Sequence, residues 1–109
     1  MLSKRTRIDV YLPEKKDKVY ARLRQAIESE FLFTFGGCTV IEGLRGLYLR
    51  SGDRREEDRI TRVYADMPFS LAGHRRQVSA YVNAIREAAA EALPEQSILV
   101  TIEEVYHAL

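Results

Sequence analysis

Apolar and polar residues alternate along residues 6–12, with Ile8, Val10 and Leu12 in one phase and Arg7, Asp9 and Tyr11 in the other. A period of two predicts a strand with one buried face, and Pro13, which has no amide hydrogen to donate, closes it. Between residues 15 and 33 the spacing changes: Val19, Leu23, Ile27 and Phe31 recur at every fourth position with charged residues between them. That spacing predicts a helix burying one stripe. Gly36 and Gly37 stand where such a helix would stop in left-handed geometry.

Residues 38–49 are rich in β-branched and aliphatic side chains and predict a second strand, with Gly43 and Gly46 as bulges or bends within it. The polar run RSGDRREEDR, residues 50–59, predicts the tip of a long hairpin, and residues 59–67 the third strand. After PFSLAG, a loop, Val78, Tyr81, Val82, Ile85, Ala89 and Leu93 trace a second amphipathic helix over residues 74–93, stopped by Pro94. Ile98, Val100 and Ile102 predict a last strand over residues 97–103, with EVYHAL as a short tail.

The order β-α-β-β-α-β predicts an α+β fold of the ferredoxin-like kind, a four-stranded antiparallel sheet with two helices on one face. Right-handed crossovers place strands 1 and 3 at the centre. The helix-covered face then carries Ile8, Val10, Leu12, Val63, Ala65, Met67, Ile98, Val100 and Ile102. Residues 1–109 have room for a single domain, which at this length buries enough surface to fold without metals or disulfides.

Charge narrows the partners. Seventeen Lys and Arg against 16 Asp and Glu give a net charge of +1, so no global field draws the chain to nucleic acid or an anionic membrane. No stretch has the apolar length of a signal peptide core or a membrane span, and the lone Cys38 suits a reducing compartment. The expectation is a cytoplasmic protein.

The face opposite the helices holds Arg7, Asp9 and Tyr11, then Ile60, Arg62, Tyr64 and Asp66, then Leu99, Thr101 and Glu103. Such a mixture of Tyr, Leu and Ile with charges of both signs suits self-association, and a dimer is the expected assembly, with Arg7, Tyr11, Ile60, Arg62, Tyr64 and Leu99 as interface residues. One alternative is an RNA platform, with Tyr11 and Tyr64 stacking bases beside Arg7 and Arg62. It is disfavoured because RITRVYADM lacks the basic-Gly-aromatic-Gly run of such platforms and sets Asp66 where a phosphate would approach. A second alternative is a metal-dependent nuclease using Asp9 and Asp66, which fall on neighbouring strands of the open face. Pairing of these carboxylates with Arg7 and Arg62 is the simpler expectation. In the hairpin, Arg50, Arg54, Arg55 and Arg59 form a candidate arm for a protein partner, or a solvated loop whose charges partly cancel.

Other chemistry is poorly supplied. Cys38 would need a base to act as a nucleophile, and the histidines, His74 and His107, fall at a helix start and in the tail. Two separated histidines and one cysteine give no zinc spacing. GGCTVIEGLRG matches neither phosphate-binding glycine motif, and its glycines follow a helix rather than precede one. No metal, cofactor or catalytic residue is therefore expected.

A strand, a helix ending near FGGCTVIEG, a hairpin through GLYLRSGDRREEDRITRVY and a helix ending in LPEQSILVTIEEV resemble a group of small bacterial proteins of unknown function. The resemblance covers roughly residues 8–105 and implies a ferredoxin-like fold without an activity to carry over. The trimeric signal-transduction proteins of the nitrogen-regulatory type are similar in element order, with a long loop where this chain has residues 50–59, but their glycine-rich nucleotide motif is missing here. The Cas2-like endoribonucleases are similar in topology too, yet their acidic residue directly follows strand 1, where this chain has LPEKK. Together these readings imply a small non-enzymatic binding or regulatory module.

Overall fold

The computed structural model describes residues 1–109, in which strand β1 spans Leu2–Pro13, helix α1 Lys18–Phe35, strand β2 Thr39–Arg50, strand β3 Arg54–Met67, helix α2 Arg75–Ala92 and strand β4 Leu99–Ala108. The four strands form one antiparallel sheet in the order β2-β3-β1-β4, with β1 and β3 central as the crossover rule requires. The fold is ferredoxin-like α+β.

The buried stripes of both helices meet one face of this sheet. Leu23, Ile27 and Phe31 from α1 and Val78, Val82, Ile85 and Ala89 from α2 close over Ile8, Val10, Leu12, Val63, Ala65 and Met67. The central strands supply the sheet's share of the core because the helices lie over them. At the edge, Val100 is only half-buried and Ile102 is 37% exposed, so β4 contributes less than its apolar phase predicts.

Local signals set the element ends. The Asp17 carboxylate accepts the Val19 amide at 3.1 Å and caps α1. Gly36, at φ 83°, ends the helix with its N–H donating to the Leu32 carbonyl. In β2 the register slips between Ile41 and Leu44, a bulge in which Gly43 has φ 72°. Gly46 is no bulge. The ladder runs through it opposite Asp58, and its missing side chain leaves room for Ile60 and Tyr48, whose atoms stand 2.5 and 2.7 Å from where a Cβ would be.

Three expectations are corrected by the structure. Residues 50–59 are not a loop: the turn is confined to residues 51–53, with Gly52 and Asp53 at positive φ, and β3 begins at Arg54. Arg50, Arg54, Arg55 and Arg59 therefore sit on strands, in an arm held by Arg50–Glu56 at 2.7 Å and Arg45–Glu57 at 2.6 Å. EVYHAL is not a tail but continues β4 to Ala108, paired with an equally extended β1 that starts at Leu2 rather than Thr6. The β2–β3 arm projects from one end of the sheet and the β1–β4 ribbon from the other, which draws the molecule out to 48 × 28 × 25 Å.

Candidate interaction site on the open sheet face

The face without helices is built from alternate residues of all four strands. Register places Arg7 directly opposite Asp66 on β3 and Glu103 on β4, and Asp9 opposite Tyr64 and Thr101. The arginine side chains close this grid. Arg7 donates twice to Asp66, Nε to Oδ1 at 2.7 Å and Nη2 to Oδ2 at 3.0 Å. Arg62 pairs with Asp9, which is 1% exposed, and reaches Glu103 at 3.4 Å. The Thr101 hydroxyl adds a contact to Asp9 at 3.4 Å. Tyr64 lies between the two arginines, its ring centroid 4.2 Å from the Arg7 guanidinium carbon and 4.5 Å from that of Arg62.

The electrostatics follow from these contacts. The hydrogen bond from Arg7 holds the Asp66 carboxyl below its ordinary range, against the opposing effect of burial and with help from His107. For Arg62, burial works against the charged form, and the hydrogen bond and attraction of Asp9 outweigh it, so its pKa is raised. Each aspartate is thus engaged by a guanidinium, as the cross-strand pairing expectation has it. No group of three His, Cys, Asp or Glu side chains gathers where it could hold a metal ion.

The second half of the candidate set falls elsewhere on the same face. Tyr11, Ile60 and Leu99 line a cleft of about 420 Å³ at the base of the projecting arm, together with Pro13, Tyr48 and Arg50. Strand register therefore brings Arg7, Asp9, Arg62, Tyr64 and Asp66 into one cluster and Tyr11, Ile60, Leu99 and Arg50 into another. Arg54, Arg55 and Arg59 join neither. Arg54 makes a long, exposed contact to Glu56, and Arg55 and Arg59 point to the helix side of the arm.

Two residues that the sequence reading left aside belong to this architecture. His107 Nε2 lies 2.6 Å from Asp66 Oδ2, and it shares the period-2 phase of Leu99, Thr101, Glu103 and Val105, a signal that extending β4 would have revealed. Glu14 receives the Gly43 amide at 2.8 Å and the Thr61 hydroxyl at 2.7 Å, and these two bonds hold its carboxyl below the usual range. It ties the bulge of β2 to the end of β1. Cys38 is half-buried, its thiol directed at the Glu28 carbonyl and its pKa pushed up by burial and by Glu28. Both histidines are engaged away from it, His74 with the Ser70 carbonyl and His107 with Asp66.

The comparisons with known proteins agree on the architecture. CPII from Thiomonas intermedia K12, a nitrogen regulatory PII-like protein solved with ADP, AMP and bicarbonate, is similar over all of this chain and 98% of its own, with TM-score 0.56 and 13% identity. The structure of CPII bound to ADP, AMP and acetate gives TM-score 0.54 at 14% identity, over 100% of this chain and 93% of that one. CutA1 from Oryza sativa is similar over 97% of this chain and 82% of its own, with TM-score 0.54 and 14% identity. At these identities the likeness establishes the fold. No protein-family model and no curated protein sequence matches this chain. No helix is long and apolar enough to cross a membrane.

Proposed function

We propose that this chain is a small non-enzymatic binding or regulatory module that acts as an assembly of copies joined through the sheet. The observation that carries this reading is the placement of exposed apolar side chains. Leu47, Tyr48 and Leu49 on β2 and Leu99, Ile102 and Tyr106 on β4 are all 37% exposed or more, and they sit on the two strands whose outer edges are unpaired. Exposed apolar surface concentrated on a sheet edge marks an association site. The cleft formed by Tyr11, Ile60 and Leu99 beside Arg50 extends that surface across the open face.

A regulatory role is in keeping with the likeness to CPII, and an absence of enzymatic chemistry with the pairing of Asp9 and Asp66 to arginines. The projecting arm, with Arg50, Arg54 and Arg55 near its tip, is the surface offered to a protein partner. Light scattering at tens of micromolar tests the reading: a mass above that of the monomer supports it, and a strictly monomeric protein overturns it.

A further inference from the structure

We propose that the β1–β4 ribbon is a pH-sensitive strap, drawn toward the open face by a latch between His107 and Asp66 that tightens when the imidazole takes up its second proton. The proposal goes beyond the module reading and applies to a monomer or an assembly alike. Its first support is geometric. Ser3 is the partner of His107 and lies four residues before Arg7, which is itself flanked by Asp66 and Glu103. In a flat sheet His107 would stand ~14 Å along the strands and ~10 Å across them from Asp66, roughly 17 Å in all, at ~3.4 Å per residue and ~4.8 Å per strand. Two short side chains cannot bridge that span, yet Nε2 and Oδ2 are 2.6 Å apart. The ribbon therefore coils toward the open face as it leaves the sheet, where β1 no longer has β3 beside it.

The latch responds to one proton. An ionised carboxylate only accepts, so Nε2 carries the hydrogen that joins the two groups in either state of the ring. Nothing in the fold bonds Nδ1, and the side chain is 39% exposed, so the second proton enters from solvent. Protonation turns a hydrogen bond from a neutral ring into a charge-assisted one, which is roughly twice as strong. The groups around the ring set the balance. From β1 come Ser3 directly opposite, Arg5, whose Nε donates to the Ser3 hydroxyl at 3.1 Å, and Arg7; from β3 comes Asp66; from β4 comes Glu103, which reaches to Arg62. Lys4, Glu104 and Tyr106 lie on the reverse of the ribbon, and the Met1 ammonium meets the Leu109 carbonyl at its tip. Arg5 and Arg7 oppose a charged ring, and Asp66, the carboxylate in contact with it, favours it. His107 is in turn among the groups, after Arg7, that hold Asp66 ionised. This attraction is lost when the ribbon uncoils, so the coiled state binds the proton more tightly. The latch tightens as pH falls and loosens as pH rises through the imidazole's titration, while Asp66, held below the usual carboxylate range, stays ionised throughout.

The test is amide exchange followed by NMR at about pH 5.5 and about pH 7.5, on either side of the imidazole's charge change, with each rate normalised to its intrinsic value at that pH. Amides of residues 2–5 and 104–108 report opening of the ribbon, and those of Val10 and Val63 at the sheet centre serve as the reference. Relative to the reference, ribbon protection should be roughly fivefold greater at the lower pH, the ratio expected when a neutral hydrogen bond becomes charge-assisted. His107→Gln keeps a neutral N–H donor and every other titrating group, the Met1 ammonium and His74 included. It should abolish the difference and leave the ribbon at the parent's upper-pH protection. Equal ribbon protection of the parent at the two pH values overturns the proposal, and so does a difference that survives in His107→Gln. Neither result touches the association reading, which the light-scattering mass decides.

Discussion

Arg7 and Asp66 face each other directly across β1 and β3 and are joined by two hydrogen bonds, 2.7 and 3.0 Å, while His107 approaches the same carboxylate from β4 at 2.6 Å. Three strands therefore converge on one carboxyl group. A carboxylate in this setting couples the sheet's stability to pH.

Asp66 and Glu14 both have folded pKa values below those of the unfolded chain, Asp66 through Arg7 and Glu14 through the Gly43 amide and Thr61. Around pH 4 and below, the unfolded chain binds more protons at these groups, so stability rises with pH there. The contribution is complete above the unfolded values of about 3.9 and 4.3 and is lost as pH falls through the depressed folded values. Urea midpoints measured from pH 2 to 6 should fall steeply at the acid end, and Asp66→Asn should flatten that fall. An unchanged pH profile in Asp66→Asn would contradict the role given to this carboxylate.

Removing Arg62 strands Asp9, a carboxylate 1% exposed that would keep only a 3.4 Å contact to Thr101. Breaking such a pair from one side costs about 3 kcal/mol. Replacing both partners by apolar residues costs less, because no charge is left buried without a partner. Denaturant titration of Arg62→Ala and of Asp9→Val/Arg62→Leu should therefore rank the double variant as the more stable, and the reverse order would show that the pair is not coupled.

Phe31 and Phe33 lie two residues apart on α1 with opposite fates, one fully buried and one 85% exposed. Phe31→Ala should cost roughly 3–5 kcal/mol through the cavity it leaves. Phe33→Ser should stay within about 0.5 kcal/mol of the parent. Thermal or chemical denaturation reads both, and a large loss in Phe33→Ser would mean that this ring is covered in solution.

Glu14→Ala removes the acceptor shared by Gly43 and the buried Thr61 hydroxyl. A loss of roughly 1–3 kcal/mol is expected from the orphaned donors. Amide exchange should accelerate at Gly43 and its neighbours in β2 more than at the centre of β1. Uniform protection across the two strands would show that the bulge does not depend on this link.

Much of the architecture was legible in residue spacing. The every-fourth-residue stripe of α1 and the alternation of Ile8, Val10 and Leu12 are direct readouts of burial on one side, and burial is what periodicity records. The arm was illegible for the same reason. Glu56, Glu57 and Asp58 lie on a strand solvated on both faces, so no apolar phase marks it, and its ladder is held by backbone pairing and by ion pairs to Arg50 and Arg45. Likewise EVYHAL becomes strand because a partner, residues 2–6 of β1, lies alongside it. The open-face cluster was half legible: alternation put Arg7, Asp9, Arg62, Tyr64 and Asp66 on one side, but their pairing depends on the β1–β3 register.

By itself, then, the sequence determined which residues turn inward, where the helices stop and the order of elements from which the sheet's topology follows, since these rest on local geometry and apolar burial. Only the tertiary structure decided that Arg7 would meet Asp66 and Arg62 would meet Asp9, that His107 would join them from the chain's far end, and that Leu47, Tyr48, Leu49, Leu99 and Tyr106 would stand exposed on the two outer strands. Those outcomes depend on register between strands distant in sequence, and register is settled by the packing of the whole sheet against its helices.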